Sequence, residues 1–162
     1  MKIRYSKNAM KFLNKLDKRS VLRIVAGIEG LTLKPPAGDI KVMQGLKDGT
    51  MRLRVGNWRV LYRYGEENAL EILLVLDIGN RGEIYKQGGG RMSEIAMNVA
   101  HMIDMLPDPD KNLAYELIKK LVLAWDPDFT KLTTEEAKQL EEAKDSGFVD
   151  AEEIDWSKIG HE

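Results

Sequence analysis

The chain has 162 residues, 43% hydrophobic and 31% charged, so it can bury a core and still face water. It has no cysteine, which excludes disulfides, thiolate metal sites and a thiol nucleophile. The net charge of −1 hides an asymmetry: residues 1–91 carry 18 Lys+Arg against 9 Asp+Glu, and residues 92–162 carry 7 against 17.

Both histidines, His101 and His161, lie in the acidic part, so the basic part lacks the side chain that most often moves protons near neutral pH. No apolar run approaches the roughly 20 residues that cross a bilayer, and the charged start does not read as a leader; a cytoplasmic protein is expected.

In chain order, "KIRY" alternates as a short strand does. Ser6 is a good helix cap, and Ala9, Phe12, Leu13 and Leu16 follow at helical spacing. Val21, Ile24, Val25, Ile28 and Leu31 mark a second amphipathic helix, which "KPPAGD" stops. The segments "IKVMQGL", "TMRLRV", "WRVLYRY" and "ALEILLVLDI" then read as four strands separated by "KDG", "GN" and "GEEN".

A two-residue turn at Gly56-Asn57 sets Val55 opposite Trp58, Leu53 opposite Val60 and Met51 opposite Tyr62. The other face of that hairpin then carries Arg52, Arg54, Arg59 and Arg63, with Arg54 directly opposite Arg59. Such a face is either a solvated surface covered by arginine stems or a site whose counter-charge is an external polyanion. Arg81 and Tyr85, just past the last strand, read either as a strand cap with an amphipathic ring or as a cation and a ring that hold a phosphate and stack on a base.

After residue 91 the composition changes. Ala96, Val99, Ala100 and Ile103 form a helical stripe that "LPDPD" ends; Ala114, Leu117, Ile118, Leu121 and Trp125 form another. "TTEEAKQLEEAKDSG" opens with a capping box, Thr133 to Glu136, and stops at Gly147. The tail "FVDAEEIDWSKIGHE" is too short for its own core, yet it would leave Phe148, Val149, Ile154 and Trp156 in water; a segment that folds on a basic partner satisfies both facts.

"MRLRVGNWRVLYRY" and "IGNRGEIY", within residues 1–86, resemble the RelE/ParE toxin superfamily. The resemblance implies an α+β domain, a helical hairpin on a four-stranded antiparallel sheet. It also implies a RelE-type endonuclease that cuts messenger RNA in the ribosomal A site, with Arg52, Arg59, Arg81 and Tyr85 as catalytic residues; Lys41, Lys47, Arg54 and Arg63 are the expected RNA-binding cations. ParE-type members instead poison gyrase, and a non-catalytic nucleic-acid-binding autorepressor is a further alternative. Thr50 stands where the family's best-studied pattern has a lysine, so the acceptor of the 2′-hydroxyl proton is not named by the resemblance.

Residues 92–162, through "LVLAWDPDFTKLTTEEAKQLEEA" and "GFVDAEEIDW", resemble RelB-like antitoxins, which wrap such toxins. The expected organisation is therefore a toxin domain 1–86, a glycine linker 87–91, and an antitoxin 92–162 with a helical segment 92–126 and a neutralising segment 127–162. Trp125, Phe129, Leu140, Phe148, Val149, Ile154 and Trp156 are the expected antitoxin contacts. No cofactor or metal is called for. The expected partners are the two halves for each other, ribosome and message for the free toxin, and, as further candidates, operator DNA and a second copy of the chain.

Overall fold

The computed structural model describes residues 1–80, 93–125, 128 and 130–161, except the side chains of Asn80, Val122, Leu123 and Trp125. Arg81, Tyr85, the linker 87–91, Phe129 and the Trp125 side chain, each expected to matter from the sequence, lie outside the described residues. The chain divides into two compact units, Met1–Arg81 with Thr130–Glu162, and Gly82–Phe129.

In the first unit, β1 (Lys2–Ser6) leads into α1 (Lys7–Leu13) and α2 (Lys18–Gly30), and β2 (Asp39–Val42), β3 (Met51–Val55), β4 (Trp58–Glu67) and β5 (Leu70–Asn80) follow. Each helix starts where a side chain replaces the missing intrahelical acceptor: Ser6 accepts from Ala9 N at 3.0 Å and Asp17 from Ser20 N at 2.9 Å. Gly27 lets α2 lie close on the sheet, since a Cβ there would meet Val55 Cγ2 at 2.7 Å.

The β3–β4 pairing follows the expected register, Val55 opposite Trp58 through Met51 opposite Tyr62, around a turn with Gly56 at φ +61°. The β4–β5 turn differs from expectation. Both strands run on to a two-residue turn at Asn68-Ala69, with positive φ at both, instead of stopping at "GEEN". β2 ends at Val42, short of the expected "IKVMQGL".

The sheet itself is larger than the four antiparallel strands expected. It has six strands in the order β2-β3-β4-β5-β1-β6. β1 pairs parallel with β5, Tyr5 opposite Val75, and β6 (Phe148–Asp150) from the acidic tail pairs antiparallel with β1, Tyr5 opposite Val149. A chain crossover through the helices brings β1 alongside β5, and β6 then covers what would otherwise be an open strand edge.

The β4–β5 ladder is broken at one place. Leu61 lies opposite Asp77 and Tyr62 opposite Val75, so Leu76 is an extra residue in β5. At the end of β1 the Ser6 hydroxyl donates to Leu76 O at 2.6 Å, so one fully buried hydroxyl both caps α1 and satisfies the bulge. Ser6→Ala would orphan a buried donor and a buried acceptor, and is expected to cost about 1–3 kcal/mol, read from the denaturant midpoint.

The two sheet faces are covered differently. Against one, α1 and α2 bury Leu13, Ile24, Ile28 and Leu31 on Leu53, Val60, Tyr62, Val75 and Ile78. Against the other, α5 (Thr134–Asp145) buries Leu140 among Leu61, Leu74 and Leu76. The tail continues past β6 into two short 3-10 turns, Ala151–Glu153 and Trp156–Lys158. In the second unit, α3 (Glu94–Asp104) and α4 (Asp108–Trp125) contact each other and leave Ile95, Met102, Met105, Leu113 and Leu121 exposed.

Candidate functional site

The arginine face lies under α5. Arg59 Nη2 on β4 donates to Glu136 Oε1, and the two side chains are only 12% and 16% exposed. The same carboxylate closes the capping box of α5: Glu136 Oε2 accepts from Thr133 N at 2.9 Å while Glu136 N donates to Thr133 Oγ1 at 3.2 Å. One acid thus starts the helix and neutralises the cation beneath it. A second ion pair lies at the other end of α5, where Lys144 Nζ meets Asp48 at 2.8 Å. The approach to the helix is anchored as Gln44 N donates to Thr130 O at 2.8 Å.

The four arginines differ in surroundings, contrary to the expectation of one open basic face. Arg52 is buried, at 2% exposure, with Nη1 3.3 Å from both Asp39 O and Asp39 Oδ1, and its Nε has no hydrogen-bond partner. The cause is local: β2 pairs beside β3, and its Asp39 reaches the Arg52 guanidinium. Arg54 stays half exposed, 3.9 Å from the second Asp39 oxygen, and Arg63 lies 4.0 Å from Asp48. Lys41 and Lys47 are exposed, Lys41 opposite Arg52 in the β2–β3 register.

The tail reaches the remaining edge. Leu140 and Phe148 pack in the core beneath α5, Val149 sits opposite Tyr5, and Ile154 and Trp156 pack on the helix-side core, Trp156 edge-on to Tyr5 with ring centroids 5.4 Å apart. Arg4 pairs with Asp150 and, at 2.7 Å, with Glu67. At the far end Lys18 N donates to His161 O and His161 N to Leu16 O, pinning the tail to the α1–α2 loop.

Glu136, Asp48, Lys144 and Asp150 complete this surface, and nothing in the sequence marks them as contacts. Only the cap at Thr133 flags Glu136, and it does so as a helix signal. Asp77 carries no sequence signal at all. It sits opposite Leu61, and burial, with Glu136 nearby, pushes its carboxyl up to about 6 despite the Ile78 N–H and Arg59.

Two carboxyls at this contact respond to pH in opposite senses. Raised from 3.8 to about 6, Asp77 favours the docked state when protonated, and that contribution is lost as pH rises through about 6. Burial also disfavours ionised Asp48, but hydrogen bonds from Lys144 and Thr50 prevail and hold it at about 2. Its contribution is present above the ordinary value of 3.8 and lost as pH falls toward 2. Docking of α5 is therefore expected to be firmest near pH 4 and to weaken as pH rises from there through about 6 or falls toward 2, measured as amide exchange protection of α5 across the pH range.

Helices α1 and α2 thus cover one face of the sheet, and the guanidinium groups on the other meet acidic residues of the same chain. The family model described as ParE toxin of type II toxin-antitoxin system, parDE, matches residues 3–85, and the chain belongs to this toxin family. Membership implies an antitoxin as partner. No curated protein and no solved structure matches the chain significantly. Among the described residues no helix is long and apolar enough to cross a membrane.

Proposed function

We propose that the chain is a toxin and its inhibitor in one polypeptide: residues 1–86 a RelE-type, ribosome-dependent messenger-RNA endonuclease, residues 92–162 an antitoxin, and 87–91 the tether. The observation that carries this reading is the Arg59–Glu136 pair, with Leu140 buried beside it. The inhibitor's carboxylate occupies the place where a scissile phosphate would meet Arg59, so message cannot bind while α5 is docked. A five-residue tether keeps the inhibitor at high effective concentration.

The chemistry asks little of the protein beyond placed cations. Message supplies the 2′-hydroxyl as nucleophile, attack on the adjacent phosphate gives a cyclic phosphate and a 5′-hydroxyl, and guanidinium groups stabilise the charge that builds on the phosphoryl oxygens. Arginine stays protonated, so Arg59 acts by charge and not by proton transfer. Arg81 and Tyr85 are proposed to complete the site.

The family description favours a second reading, a toxin of the ParE kind that acts on gyrase without cleaving RNA. Inducible expression of residues 1–86 separates the two. Growth arrest with new 5′-hydroxyl ends within coding regions supports the nuclease. Arrest with DNA breaks and intact messages supports gyrase.

A further inference from the structure

The bulge at Leu76 decides which way Asp77 points. Strict alternation along β5 would send Val75 and Asp77 to one face and Leu76 and Ile78 to the other. With Leu76 inserted, Val75 and Ile78 both enter the core under α1 and α2, and Asp77 turns to the opposite face beside Leu61, where Leu74 and Leu76 pack under α5. A side chain that would have faced the helices faces the arginines instead.

Its surroundings there do not explain an acid. The charged groups whose fields act on it are Arg59 of β4 and Glu136 of α5, the second repelling it. No ion pair within 4.0 Å joins Asp77 to Arg59 among the described residues, and Arg59 Nη1 is a buried donor with no hydrogen-bond partner. An acceptor and a donor thus lie on one sheet face unpaired with each other, the two kinds of group a reacting phosphodiester needs. In the docked chain ionised Asp77 opposes Glu136, so as a structural residue it is a liability at neutral pH.

We propose that Asp77, turned toward Arg59 by the bulge at Leu76, is the proton acceptor for the 2′-hydroxyl when the freed domain cleaves message. The assignment rests on the nuclease reading, and it fills the role that Thr50 cannot. The Asp77 carboxylate takes the 2′-hydroxyl proton as the 2′-oxygen bonds to phosphorus. The bond from phosphorus to the 5′-oxygen breaks, that oxygen takes a proton from solvent, and Asp77 releases its proton to solvent. The products are a 2′,3′-cyclic phosphate and a 5′-hydroxyl, with no change of oxidation state. Arg59 neutralises the phosphoryl oxygens meanwhile. Once α5 leaves, burial and Glu136 no longer hold the carboxyl up, so Asp77 is ionised and ready near neutral pH.

The test uses the full chain opened by Leu140→Asp, with and without Asp77→Asn, in single-turnover cleavage on programmed ribosomes. Asp77→Asn is expected to lower the cleavage rate about 100-fold or more at saturating ribosomes, to leave ribosome binding within about 3-fold, and to abolish the parent's loss of rate as pH falls toward the ordinary carboxyl value of 3.8. Asp77→Glu is expected to restore part of the rate. Removing a half-buried acid leaves the fold intact, checked by a melting temperature no lower than the parent's. Cleavage within about 10-fold of the parent, an unchanged pH profile, or a binding loss as large as the rate loss would overturn the assignment. An opened chain that retains Asp77, breaks DNA and leaves message whole would overturn the nuclease reading itself, and the assignment with it.

Discussion

On the proposed toxin–inhibitor reading, Leu140→Asp in the intact chain is expected to turn a harmless protein into one that arrests growth. Leu140 is fully buried between α5 and the sheet, against Leu61, Leu74 and Leu76. Truncating such a leucine costs about 2–5 kcal/mol, and a carboxylate there adds the cost of burying an unpaired charge. α5 has only 12 residues, too few to be a stable helix alone, so losing its anchor dissolves the helix and its capping box with it. Glu136 then no longer holds Arg59. The core under α1 and α2 does not include Leu140, so the toxin part keeps its main packing. Arrest on induction, with loss of exchange protection confined to residues 134–145, is the expected result. A chain that stays harmless while α5 is visibly unprotected would show that covering Arg59 is not what inhibits.

Arg59→Ala in that opened chain is expected to remove the arrest. Arg59 is the cation that α5 covers most directly, and on the nuclease reading it faces the phosphoryl oxygens; losing one such donor costs about 100- to 1,000-fold in rate. The substitution leaves the register of β3, β4 and β5 untouched, since the ladder is made by backbone, and stability should change little once Glu136 has gone. In the closed chain the same change strands Glu136, 16% exposed, without its cation, so there it should loosen α5 instead. Opposite effects of one substitution in the two backgrounds, measured as growth and as exchange protection, would be hard to produce by general misfolding.

The elements with their own local signals were legible in the sequence. The spacing of Ala9, Leu13, Ile24 and Ile28 marked the buried side of the hairpin, Ser6 marked a helix start, and Gly56-Asn57 set the β3–β4 register, because helix periodicity, capping and tight turns depend on a few neighbouring residues.

What depends on residues far apart in the chain came only from the tertiary structure. β1 beside β5, β6 beside β1 and Glu136 against Arg59 join segments about 70 to 145 positions apart, and no periodicity records such pairings. Arg52 looked like an open cation from its place in an alternating strand, but between β2 and β4, with Asp39 of β2 against its guanidinium, it is buried. Asp77 is the sharpest case. Alternation along "LLVLDI" assigns it to the core, and one extra residue at Leu76, recognisable only once β4 is laid against β5, turns it to the face where Arg59 waits.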